Sequence, residues 1–287
     1  MRVFATSDLH VDFDANRALV EAVPAGEHGQ DVLVVAGDVA HRLELLEHAL
    51  GHLRRCFGHV VFTPGNHDLW VRPDEGDSVD RFHRILELCA ALEVHTRPLE
   101  IGGIRLVPLF SWYEAALDGH AEEPPPARWA DRRRCRWPTG MDSPAAWFAS
   151  LNEPHLQAVD GPAAGRCAPD PGEVPAASKP FDTCRGTAAG RCAPGQGQAS
   201  LTLTCSHFLP RRDLLPPVEF LRYPELPRVA GSPRIEAQLR AAGSRLHVFG
   251  HSHIRVDETL DGVRYVQQGL GYPRERRAAR PVVVQIL

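Results

Sequence analysis

The strongest constraint in this sequence is a pattern repeated along the chain: a short apolar run that stops abruptly at a carboxylate, an amide or an imidazole. The runs are RVFAT (2–6), DVLVVA (31–36), HVVFT (59–63), IRLVPLF (104–110), LTLTC (201–205) and LHVF (246–249). Runs of this length without polar alternation predict strands buried on both faces. Asp8 and His10 follow the first run, Gly37-Asp38 the second, and Gly65-Asn66-His67-Asp68 the third. Ser206-His207 follows LTLTC, and Gly250-His251-Ser252-His253 follows LHVF. In open α/β sheets ligands sit at the carboxyl ends of strands, and all five clusters fall there.

Between the runs lie amphipathic helix candidates. They are ANRALVEAV (15–23), RLELLEHALGHLRRC (42–56) with leucines at 43, 46, 50 and 53, and VDRFHRILELCAAL (79–92). SPRIEAQLRAAG (232–243) opens on Ser-Pro and stops at a glycine, a matched pair of helix boundaries. Asp261-Gly262 between β-prone residues predicts a hairpin, and PVVVQIL (281–287) a closing strand. Strand–helix alternation early and a hairpin late predict α/β layers with mixed sheets. From 111 to 200 this rhythm breaks. That segment reads as an insertion in a single domain whose core is 1–110 and 201–287, with the Pro/Gly/Ala-rich part, 153–200, a flexible loop. AAGRCAP occurs there twice, at 163–169 and 188–194, too few copies for a solenoid.

Bulk properties exclude several classes. At 43% hydrophobic and 24% charged residues the chain is globular in composition. A net charge of −4 gives no global attraction to nucleic acid or anionic membrane. No apolar run approaches ~20 residues, so a membrane span is not expected. The N-terminus lacks the charged-then-apolar pattern of a secretory signal. Seven cysteines, an odd number without a CxxC pair, fit reduced thiols and a cytoplasmic protein.

Carboxylate and amide oxygens with imidazole nitrogens, and no thiolate, suit hard-to-borderline divalent cations. Taken in order, DxH, GD, GNHD, SH and GHSH resemble the calcineurin-like metallophosphoesterases over 1–110 and 201–287. The resemblance implies a four-layer αββα sandwich, two mixed β-sheets flanked by helices, here carrying the long insertion. It implies that Asp8, His10 and His253 hold one metal and Asn66, His207 and His251 the other, with Asp38 bridging. His67 would be the general acid facing the leaving group. Two divalent ions would supply a bridging hydroxide for in-line attack and neutralise the nonbridging phosphate oxygens. Manganese heads the candidates, and iron, zinc and nickel fit the same donors.

One departure matters. Where many phosphatases of this group read GDxxD, this chain reads GDVAH, placing His41 where an Asp can orient the catalytic histidine. Some phosphodiesterase and nuclease branches carry His there, which tilts the reading toward diesters. Asp68 becomes a second catalytic candidate, either orienting His67 or capping the next segment. Trp112 and Tyr113 follow a strand and, with His41, are candidate substrate contacts. RWADRRRCRW (128–137) mixes five arginines with two tryptophans, a phosphate grip or a solvated loop with its tryptophans turned inward.

The expected activity is hydrolysis of a small phosphodiester or phosphomonoester. A structure-specific nuclease is the alternative, drawn from His41 and the arginine run. A non-catalytic scaffold would be expected to have lost ligands, whereas all seven positions and His67 are present. An extended nucleic acid is not an expected partner, and nothing in the sequence bears on oligomeric state. Deletion of 160–198 is expected to leave folding intact; loss of soluble protein would show that this segment belongs to the fold.

Overall fold

The computed structural model describes residues 1–119, 126–156, 201–276 and 281–287. The first half runs β1 (Val3–Thr6), α1 (Asp14–Glu21), β2 (His28–Ala36), α2 (Leu43–Cys56), β3 (Phe57–Thr63), α3 (Ser78–Ala91), β4 (Leu99–Ile101) and β5 (Ile104–Pro108). Three short helices follow, α4 (Asp131–Arg134), α5 (Pro144–Leu151) and α6 (Glu153–Leu156). The rest is β6 (Leu201–Cys205), α7 (Pro233–Ala241), β7 (Leu246–Phe249), β8 (Val256–Leu260), β9 (Val263–Gln267) and β10 (Val284–Gln285).

Two mixed sheets result. One has the order β10-β1-β2-β3, parallel except for β10; the other is β4-β5-β6-β7-β9-β8, antiparallel only at β4 and β8. Period-two alternation divides each strand between two apolar layers. Val3, Ala5, Val32 and Val34 meet Leu203, Leu246 and Val248 between the sheets. Phe4, Leu33, Val35 and Phe62 face outward with the leucines of α2, while Phe249, Tyr265, Ile235 and Leu239 belong to the outer layer of the second sheet and α7. This is the expected αββα arrangement.

Packing, more than propensity, sets the helices. Leu46, Leu50 and Leu53 of α2 are fully buried. At ~1.5–3 kcal/mol each they outweigh the ~1 kcal/mol cost of Gly51 inside the helix. Side-chain caps mark the starts. Asp77 and Asp80 form a capping box before α3, and Ser232 accepts the Arg234 N–H before α7, with Pro233 at the first helical position. The hairpin forms as expected, with Asp261 (φ 48°) and Gly262 (φ 79°) both left-handed, as a tight two-residue turn requires.

The two sheets are stitched together at their carboxyl ends. Ser7 donates to Gln268 O, Leu270 to Ser7 O, and Gly271 to Asp8 O. The end of β1 is thereby locked to the segment following β9. Part of the expected insertion is integral to the fold. Residues 153–156 form α6 rather than loop, with His155 buried and its Nδ1 bonded to Pro108 O. The remainder of the expected loop, both AAGRCAP copies and Cys167, Cys184 and Cys192 lie outside the described residues.

Asn152, fully buried, accepts from Phe110 N and donates to Phe110 O and Gln238 Oε1, joining α5 to the β5 end and α7. Asn152→Ala leaves a buried N–H and C=O without partners and is expected to cost roughly 2–4 kcal/mol in urea denaturation. A loss below ~0.5 kcal/mol would show that this junction is not structural.

Candidate metal centre

The strand ends deliver their polar residues through strained backbone. Among the described residues seven non-glycine positions have positive φ, and five are candidate ligands: Asp8 (53°), His10 (43°), Asp38 (55°), His251 (73°) and His253 (58°). A left-handed residue with a Cβ costs roughly 1–2 kcal/mol, and such strain concentrates where a structure over-determines a site. Glycine is required beside them. A Cβ on Gly65 would lie 2.3 Å from Asp38 Oδ1, and one on Gly37 (φ 78°) 2.4 Å from His207 Nδ1.

The side chains then converge. His10 Nε2 and His253 Nε2 face each other at 3.1 Å, with Asp8 Oδ1 3.4 Å from His253 Nε2. Asn66 Oδ1 lies 3.0 Å from both His207 Nε2 and His251 Nδ1, which are 3.3 Å apart. Asp38 stands between the groups, Oδ1 3.5 Å from His207 Nε2 and Oδ2 3.9 Å from His10 Nε2. Asp8–His10–His253 and Asp38–His207–His251 each offer three donor atoms within 4.8 Å of one another. All seven sequence-predicted ligand positions therefore come together, in two groups flanking Asp38.

This donor set fits divalent cations. Burial and neighbouring imidazoles push His10 down to about 3, and His207 and His251 are also held low, chiefly by burial. Those three rings are held neutral, with lone pairs available, whereas His253 is raised to about 10 against its burial by Asp8 and Glu275, a proton that a bound cation would displace. His207 Nδ1 is occupied by Ala36 O at 2.9 Å and His253 Nδ1 by Glu275 Oε2 at 2.7 Å, so each turns Nε2 inward. Burial raises Asp38 well above the usual carboxylate range, with Asp68 and Asp8 adding to the effect. A cation beside these oxygens would offset that cost.

His67 borders the cluster. Its backbone N–H donates to Asp38 Oδ1, and its Nε2 lies 3.3 Å from the Tyr272 hydroxyl and 3.9 Å from Asp38 Oδ2. Its ring stacks on Trp70 at 3.7 Å between centroids. Burial, reinforced by His10 and the other imidazoles, holds its pKa well below the usual range. An imidazole near its ordinary pKa is not what this environment makes.

Three expectations need correction. Asp68 does not orient His67. It is fully buried, and its carboxylate accepts four backbone N–H groups: Val39 and Ala40 at Oδ1, Asp38 and Gly65 at Oδ2. Trp112 and Tyr113 do not line the cavity over the cluster. Both are buried, Trp112 against Trp137 and Phe208 and Tyr113 against Phe208. His41 pairs with Asp12 at 3.1 Å and lies beyond Trp70 from the cluster, lining a separate cavity of about 210 Å³.

The cavity over the cluster measures about 420 Å³. Asp38, His67 and His251 form part of its lining, with Trp70, Trp129, Tyr223 and Tyr272 as walls. Sequence reasoning missed Trp70, Tyr272, Glu275 and Asp131. Trp70, three residues after His67, and the tyrosine of GLGY were the available signals; Asp131 was hidden in an arginine run.

The sequence profile of the calcineurin-like phosphoesterases matches residues 1–150. Over 295 residues the chain is 27% identical to the [acyl-carrier-protein] phosphodiesterase PptH of Mycobacterium tuberculosis, an alignment spanning 97% of this chain and 80% of PptH. The crystal structure of phosphopantetheinyl hydrolase (PptH) from that organism has a similar fold. Its TM-score is 0.72 at 22% identity, covering 100% of this chain and 95% of that one.

Asp68→Asn leaves two of four buried N–H donors facing an NH₂ group and is expected to lower stability by roughly 2–6 kcal/mol in thermal unfolding. Wild-type stability with an altered pH–rate profile would instead place this side chain in catalysis.

Proposed function

We propose that this chain, which belongs to the calcineurin-like phosphoesterase family, is a two-metal phosphodiesterase that severs a phosphopantetheine arm from a carrier protein. The observation that carries the reading is the convergence of seven donors and His67 beneath one aromatic-walled cavity. Asp8, His10 and His253 would hold one divalent ion and Asn66, His207 and His251 the other, with Asp38 shared. When bound, two such ions, manganese first among the candidates, lower the pKa of a water and offset charge on the phosphate oxygens.

The chain's own residues supply the rest. His67 faces the cavity, and an anionic phosphodiester there brings the negative charge that lets this buried imidazole hold a proton. It then gives that proton to the departing serine oxygen. Trp70 holds its ring plane, and Tyr272 flanks Nε2. Trp129, Tyr223 and Leu226 line one part of the cavity and suit an extended, uncharged arm, with Arg128 and Arg274 also in its lining. The cavity volume is that of a small-ligand site. A nuclease reading finds less support, because His41 and Arg134 lie with the separate smaller cavity. The free, buried thiols Cys56, Cys89, Cys135 and Cys205 fit a reducing cytoplasm, and among the described residues no helix is long and apolar enough to cross a membrane.

With added Mn²⁺ the protein is expected to hydrolyse bis-p-nitrophenyl phosphate and to release the arm from holo-acyl carrier protein, both activities stopping with chelator. His67→Ala should keep its metals and lose ~10²–10⁴-fold on the carrier protein. On the nitrophenyl ester it should lose far less, since nitrophenolate leaves without a proton. Equal losses on both would remove His67 as the proton donor. Ester hydrolysis with untouched carrier protein would refute the substrate.

A further inference from the structure

Asp131 reaches the centre from outside the five motifs. It is 3% exposed at the start of α4, inside the arginine run. Its Oδ1 accepts from Asn66 Nδ2 at 3.0 Å and Trp70 Nε1 at 2.6 Å, and its Oδ2 from Trp129 Nε1 at 3.0 Å. The Tyr113 hydroxyl bonds it as well. One carboxylate thus gathers a candidate ligand, the platform under His67 and a wall of the cavity.

The chemistry of this contact selects an orientation. An amide can turn either its oxygen or its NH₂ toward a given neighbour, and the two ends are nearly the same size. An ionised carboxylate only accepts hydrogen bonds, so Asn66 must offer its NH₂ to Asp131. Its oxygen is left facing His207 and His251. Rotated by half a turn, the same amide would set two N–H donors where a cation needs a lone pair. Trp70 is held by the same oxygen, and His67 stacks on its ring.

We propose that Asp131 is a positioning residue: its carboxylate fixes Asn66 as an oxygen ligand and, through Trp70, sets the ring plane of His67. The inference rests on the reading of Asn66 as a ligand and His67 as the acid. It also gives the arginine run a role: the segment carries the one acceptor its neighbours need, between two tryptophans that pack inward.

Calorimetric titration of Mn²⁺ into chelator-treated full-length protein tests this, with thermal unfolding in parallel. Asp131→Asn can pair with either end of the Asn66 amide, so the affinity of one of two sites should fall ~10–100-fold. Asn66→Asp opposes two carboxylates and should bind poorly. Adding Asp131→Asn to it restores a donor–acceptor pair and should regain about tenfold. The double variant keeps the test decisive should Asp131→Asn alone fold badly, because a purely structural role cannot yield rescue. Unchanged Mn²⁺ affinity in Asp131→Asn, or additive losses in the double variant, overturns the proposal while the metal reading stands. Wild-type protein that binds no Mn²⁺ overturns both.

Discussion

The Asp68 carboxylate accepts backbone N–H groups from Gly65, Asp38, Val39 and Ala40, and so ties the loop after β3 to the loop after β2. Neither loop belongs to a helix or a ladder at these positions, so their amides need acceptors once buried. Two oxygens serve four donors, and Asp38 is held in a left-handed conformation beside Gly65. From this knot the rest follows: Asp38 stands between the two donor groups, and His67 hangs from it by a backbone N–H.

The centre is a seam product. Asp8, His10, Asp38 and Asn66 come from loops of the first sheet, and His207, His251 and His253 from loops of the second. Each proposed ion takes ligands from both, so neither sheet carries a complete site. Apart from Trp70, which follows His67 in the loop after β3, the cavity walls come from elsewhere. Trp129 lies just before α4, Tyr223 and Leu226 between β6 and α7, and Tyr272 after β9. On the proposed reading, reaction chemistry and substrate choice are written largely in different stretches of the chain, and for that reason the fold alone names no substrate.

The strand runs, the helices α1, α2, α3 and α7, the Asp261-Gly262 turn and the convergence of the clusters were legible because each rests on local pattern: period, cap and turn residues. Trp112 and Tyr113 were misplaced because an aromatic after a strand can point along the site or back into the core. Only the positions of Phe208, Phe148 and Trp137 decide which. Asp68 was misread because its four partners are main-chain amides, and main chain leaves no mark in a sequence. Asp131 escaped for a related reason. Its partners Asn66, Trp70 and Trp129 are 65, 61 and 2 positions away, and the first two are pairings that a single sequence does not announce.

The backbone N–H of His251 bonds Asp8 Oδ1 across 243 positions, and β10 completes the sheet edge beside β1. The first and last contributors to the centre thus leave the ribosome almost a whole chain apart. A growing chain displays Asp8, His10, Asp38 and the GNHD loop long before His207, His251 or His253 exist to meet them. Such non-local closure is slow in folding. On the proposed ligand assignment an incomplete chain would have only half a grip on a cation, so loading would wait until synthesis has passed the GHSH motif.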